Sequence, residues 1–296
     1  MKNKVEKTAK VIMTLFAVVA VAAVFSITVY MIAIGTPALS SVGVIELLFG
    51  TEWKPTAAEQ SFGIFYVILT SVIGTIAALF IGVPIGVFTA IFIAEVGNKK
   101  IAAIVQPAVE LLAAIPSVIY GLVGVMLLKP IMYRWEMVLF ANDPTHQYTG
   151  GSNLMSAIIV LAVMILPTVI NISTSSIRAV QPSIKSASLA LGATKIQTIF
   201  KVVLPAAKSG ILTAIVLGLG RALGEAMAIN MVAGGVVNLP LPFNSVRFLT
   251  TAIVSEMGYS EGLHRQVLFT IGLVLFAFIL FTNLILTRAI KKGEQD

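Results

Sequence analysis

From Val11 to Gly35 the chain runs 25 residues without a charge. A helix needs about 20 such residues to cross the hydrocarbon core of a bilayer. Five further stretches meet the same demand, at about 62–94, 105–128, 154–173, 209–237 and 266–290. Six runs of this length predict an all-α, polytopic membrane protein with six transmembrane helices in one domain. Composition agrees, with 58% hydrophobic and only 11% charged residues, against about 45–50% and about 25% in soluble domains. The chain has no cysteine, which excludes disulfide scaffolds, thiol catalysis and Fe–S clusters.

The charges sort by side. With the N-terminus in the cytoplasm, the inner segments hold Lys2, Lys4, Lys7, Lys10, Lys99, Lys100, Arg178, Lys185, Lys195, Lys201, Lys208, Arg288, Lys291 and Lys292. The outer loops hold only Lys54, Lys129, Arg134, Arg247 and Arg265. The positive-inside rule then sets both termini inside. The net charge of +7 is mostly a topology signal and needs no nucleic acid. The start, MKNKVEKTAK before the first apolar run, resembles a signal peptide, but a signal core is about 7–15 residues. An uncleaved first span is expected.

The second span is too long for one perpendicular crossing and carries Gly82 and Pro84, so a tilt or kink is expected. The third and fourth carry Pro116 and Pro167, tolerated where neighbouring helices satisfy the freed carbonyls. No internal repeat or pair of broken helices is apparent, which disfavours an ion-gradient transporter. His146 and His264 are expected at the surface of outer loops. Ser173, Thr174, Ser175 and Ser176 are expected to bond the inner end of the fourth span.

Two regions carry candidate function. Arg221 and Glu225 fall near the middle of the fifth span, where each costs about 2.5–3.5 kcal/mol on insertion scales. Four residues apart, they share one face of a continuous helix. They read either as a structural ion pair or as the polar lining of a path, and the arginine fork suits an oxyanion. Gly218, Gly220 and Gly224 strip side chains from the same helix. Glu110 and Ser117, near the inner end of the third span, are further pathway candidates. The second region is the inner loop at about 175–208. Ile184, Ala187 and Leu191, then Ile196, Ile199, Phe200 and Val203, recur at helical spacing on either side of Gly192. They predict two short amphipathic helices with a turn at that glycine and an end at Pro205.

This loop resembles the cytoplasmic loop of the inner-membrane permeases of bacterial ABC importers. That pattern has Glu-Ala-Ala, a glycine six positions after the Glu, and then Leu-Pro. Here Gly192 with its neighbours Leu191 and Ala193, Ala187, and the pair Leu204-Pro205 match, while Ser186 and Ser188 stand in place of Glu and the second Ala. LLAAIPSVIYGLVGV, LGLGRALGEAMAINMVAGG, TEWKP and FGI are similar to phosphate-importer permeases of the PstC type. The resemblance implies a type I ABC importer permease fold in a bacterial or archaeal plasma (inner) membrane. It implies phosphate as cargo, with sulfate, molybdate or phosphonate as alternatives. It also implies a second, PstA-like permease, two PstB-like ATPases docking on the inner loop, and a PstS-like extracytoplasmic binding protein. The chain has no G-x-x-x-x-G-K-[ST] motif. No cofactor is therefore expected in it; ATP and Mg belong to the partner ATPase. No catalytic or metal constellation is apparent.

Overall fold

The computed structural model describes the backbone of residues 2–293 and the side chains of residues 6–288. The side chains of Lys2, Lys4, Lys291 and Lys292, counted on the inner side, lie outside the described residues. The first helix, α1 (Lys2–Val42), is followed by the short α2 (Val44–Phe49) and an outer hairpin of β1 (Trp53–Lys54) and β2 (Ser61–Phe62). Next come α3 (Phe65–Ile91), α4 (Lys99–Ala114), α5 (Ser117–Val123), α6 (Lys129–Leu139) and α7 (Leu154–Arg178). The inner loop holds α8 (Pro182–Ala190), α9 (Lys195–Thr198) and α10 (Leu204–Ala206). α11 (Lys208–Gly224), α12 (Met227–Val232), α13 (Leu249–Glu256) and α14 (Gly262–Gly293) complete the chain. Single π-turns extend α3 through Val96, join α5 to α6, and join α9 to α10. Among the described residues five helices are long and apolar enough to cross a membrane, and a sixth crossing counts the pair Lys195–Ala206 and Lys208–Gly224, bent by 68°.

The helices pack through small residues, as expected where lipid gives no hydrophobic drive. Gly74, Gly82 and Gly86 bring α3 against Phe248, Ile165 and Val169, where an added Cβ would clash. α7 is the most enclosed span; Leu161, Met164 and Ile165 are buried in a core shared with Ala228, Ile229 and Val232. α1 is the opposite case. Its apolar residues from Val11 to Ile32 are about half to two-thirds exposed, a surface that only lipid suits. It touches the bundle at its outer end, where Thr270 of α14 donates to the Gly35 carbonyl at 2.8 Å.

Two expected spans are broken. The third is not a continuous 105–128. α4 ends at Ala114, Ile115 and Pro116 are extended, and the membrane-length helix runs Ser117–Leu139. Proline disfavours helical backbone at the residue before it. Tyr120 repairs part of the break by donating to the Leu112 carbonyl at 2.6 Å. Lys129, Arg134 and Glu136, assigned to an outer loop, therefore lie on helix. The fifth is not a continuous 209–237. Glu225 is extended, with φ −74° and ψ 130°, between α11 and α12. Arg221 and Glu225 thus do not share the face of one helix, and the expected absence of broken helices does not hold.

Candidate functional site

α11 presents Leu217, Gly220, Arg221 and Gly224 at helical spacing on one side. Leu217 and Gly224 are exposed and Arg221 is half-buried. A Cβ on Gly220 or Gly224 would meet nothing within 4 Å, so the surface of α11 is open at the glycines on either side of Arg221. The one hydrogen bond from Arg221 is long, from Nη1 to Thr168 Oγ1 at 3.4 Å. Tyr120 of α5 lies within its electrostatic reach. Among the described residues Arg221 forms no ion pair.

Glu225 is turned to other work. Its Oε1 accepts from the Ala228 amide at 2.9 Å and so caps α12, while its carbonyl accepts from Thr250 at 2.6 Å. Carboxylate at a helix start satisfies amides that have no partner within the helix. Of the two readings, the structural Arg221–Glu225 ion pair is not formed: Glu225 is a cap, and among the described residues Arg221 has no acidic partner. Gly121 and Gly124 of the α5 region let the broken third span close on Ala228 and Val232 of α12. The two breaks are thereby packed side by side. Ser117 begins α5 and is half-buried at the first break. Glu110 lies apart from Arg221's neighbours, exposed on α4, where Gln106 donates to it at 3.1 Å.

On the inner loop, the turn falls at Gly192, whose φ of +87° suits glycine. Ala187 lies on α8, Leu191 closes that helix, and Ala193 leads into α9. Thr194 and Gln197 cap α9 reciprocally, and Ser188 bonds Thr198 at 3.0 Å across the turn. Lys185 pairs with Glu95 at the end of α3, tying the loop to the bundle. Leu191 is 90% exposed, and Ile184, Leu189, Ile196 and Phe200 are exposed beside it. Leu204 and Pro205 do not end the second helix; they form α10, and the chain bends only after Ala206.

The outer end holds two buried carboxylates, Glu136 and Glu256. Glu136 is fully buried and accepts from the Thr149 amide at 2.7 Å, from Thr149 Oγ1 at 3.0 Å and from His146 Nε2 at 2.9 Å. Glu256 accepts from Trp53 Nε1 at 3.1 Å, from Arg247, and from His264 Nε2 at 2.8 Å. An ionised carboxylate can only accept, so both histidines donate. His264 is buried and His146 is half-buried with its ring enclosed, contrary to expectation, and each lies eight to ten residues from its carboxylate. That Glu–His spacing at both outer loops was the available signal. Nearby, hydrogen bonds from Thr145 hold the Asp143 carboxyl below its usual range. At the inner end of α7, Ser175 and Ser176 bond carbonyls one turn back. Ser173 Oγ and Thr174 Oγ1 are buried with no partner among the described residues, and the expectation fails for them.

A family model described as binding-protein-dependent transport system inner membrane component matches residues 82–292. The chain belongs to this family. It is 36% identical over 292 residues to the probable ABC transporter permease protein YqgH of Bacillus subtilis, covering 96% of this chain and 91% of that one. It is 34% identical over 264 residues to the phosphate transport system permease protein PstC of Pasteurella multocida, covering 83% and 81%. It is 33% identical over 275 residues to PstC 1 of Mycobacterium tuberculosis, again covering 83% and 81%. Among solved structures it is similar to a chain of a bacterial alginate ABC transporter, with TM-score 0.63 and 17% identity over 92% of each chain. It is also similar to a chain of the MetNI methionine ABC transporter, with TM-score 0.55 and 21% identity over 78% of this chain and 94% of that one. These likenesses show the type I ABC importer permease fold. The chain is a multi-pass ABC transporter permease, a transport component rather than a catalyst.

Proposed function

We propose that this permease carries inorganic phosphate inward across a bacterial or archaeal plasma membrane, powered by ATP hydrolysed on partner subunits. The observation that carries the reading is Arg221, a permanently charged fork held in the span with no carboxylate partner among the described residues, on a helix surface left open at Gly220 and Gly224. A phosphate oxyanion matches that fork with two parallel hydrogen bonds. The relatives named PstC support phosphate over other oxyanions. Thr168 is a further hydroxyl at the same point, and Glu225 keeps the break between α11 and α12 rigid by capping.

The open side of α11 suits a second, PstA-like permease, since among the described residues nothing covers it at Leu217, Gly220 and Gly224. The exposed apolar residues around Gly192 suit docking of an ATPase, with one of two PstB-like subunits on each permease. ATP and Mg sit there, and this chain needs no cofactor. The two firmly built outer clusters hold the surface to which a PstS-like binding protein delivers its cargo. Closure of the ATPases then moves the inner loops together and reorients the spans.

The test is uptake of radiolabelled phosphate by cells expressing the full assembly. Uptake is expected to depend on the ATPase, to survive an uncoupler, and to resist excess sulfate, molybdate or phosphonate. Competition by one of those anions transfers the assignment to it. Uptake that survives loss of the ATPase and collapses with the uncoupler overturns the ATP-driven reading.

A further inference from the structure

We infer that the cytoplasmic end of the bundle carries a separate binding site for a phosphate group, outside the membrane path. A cavity of about 510 Å³ opens between the end of α3, the start of α4, the end of α7 and the start of α9. Lys99, Arg178 and Lys195 line it, from three separate elements, together with Glu95. Glu95 is already neutralised by Lys185. Among the described residues Lys99, Arg178 and Lys195 form no ion pair. Three like charges gathered on one concavity repel one another and focus a positive field into it. An anion relieves that repulsion.

The local backbone adds to the field. Asn98 caps α4 by taking the Lys100 amide at 3.2 Å, and no acidic residue lies in the first turn of that 16-residue helix. The positive end of the helix therefore points into the same basic region. Arg178 supplies a planar fork and the two lysines supply mobile point charges, the usual complement of a phosphate group. Ile93, Ala102 and Ala103 form an apolar floor. Basic pockets at the inner membrane surface hold lipid headgroups in this manner. A phosphate group reaches this place from two sources, an anionic phospholipid of the inner leaflet or free inorganic phosphate in the cytoplasm.

The purified full chain in neutral detergent is titrated with phosphatidylglycerol in one arm, followed by native mass spectrometry. The other arm uses radiolabelled inorganic phosphate, followed by equilibrium dialysis on an Arg221→Gln background, so that the membrane path does not contribute. Saturable binding is expected in at least one arm, and the arm that binds names the source. Arg178→Gln with Lys195→Gln weakens it by roughly tenfold or more, while Lys201→Gln, a charge removed from the same loop outside the cavity, changes it by less than about twofold. If Arg178→Gln disturbs the end of α7, as judged by elution on size exclusion, Lys99→Gln with Lys195→Gln gives the same loss. Absence of binding in both arms overturns the site. Equal loss in Lys201→Gln, or binding unmoved by the cavity variants, does so too. None of these outcomes bears on what the path transports.

Discussion

Glu256 and Arg221 are both charged side chains in a chain dominated by apolar residues, and the fold treats them in opposite ways. Glu256, at the outer end, is buried and takes hydrogen bonds from Trp53, Arg247 and His264. Arg221, within the fifth crossing, has one long bond to Thr168 on a helix surface left open at Gly220 and Gly224. Glu136 repeats the first pattern with His146 and Thr149. Ser173 and Thr174 resemble the second, as buried hydroxyls without partners among the described residues. A group whose bonding capacity is used up fixes structure. A group with spare donors is free to meet something that arrives. The clusters around Glu136 and Glu256 thus act as a frame, while Arg221 in the fifth crossing keeps donors to spare.

The comparison breaks most sharply at Glu256. Glu256→Ala leaves the half-buried Arg247 and the buried His264 without their acceptor, and breaking a buried pair costs about 3–5 kcal/mol. The midpoint of thermal unfolding of the purified assembly is expected to fall by more than for any variant at Arg221. Glu136→Ala orphans the Thr149 amide and His146 at about 2 kcal/mol, and limited proteolysis is expected to cut the 140–153 loop sooner. Gly192→Val forces a β-branched residue to φ +87°, a strain of about 1–2 kcal/mol at a site with no steric neighbour. Its expected effect is loss of the stimulation of ATP hydrolysis by loaded binding protein; full stimulation removes the docking role from this turn. Ser173→Ala is the smallest. It deletes an unpaired hydroxyl and is expected to change stability by less than about 1 kcal/mol, in the stabilising direction.

Hydropathy made the spans legible because lipid demands long uncharged runs and little else competes with that signal. The inner loop was legible for a similar reason. Gly192 between two helical patterns has few alternatives to a turn. The breaks at Ile115 and Glu225 were not visible as breaks. Pro116 signalled a disturbance, yet a proline in a membrane helix is as compatible with a kink as with a stop, and only the neighbouring α12 decided between them. Nothing at Glu225 marks it as extended rather than helical, so the i, i+4 spacing to Arg221 misled. The enclosed histidines were missed because outer loops are solvent by default. Burial there comes from contacts such as Trp53 with Glu256, some two hundred residues apart in sequence. Arg221 itself was found because a charge inside an apolar run is rare, and its partners Thr168 and Tyr120 were missed because hydroxyls in membrane helices are common.

The central claim is that Arg221 is held free for an anion rather than for the fold, and Arg221→Gln tests it most directly. Glutamine keeps a donor for Thr168 and removes the charge and the fork. Phosphate uptake by the assembled transporter is expected to fall to background while membrane insertion, assembly with the ATPase and thermal stability stay near those of the unaltered protein. Uptake at the normal rate, or a loss of uptake that only follows a loss of stability, contradicts it.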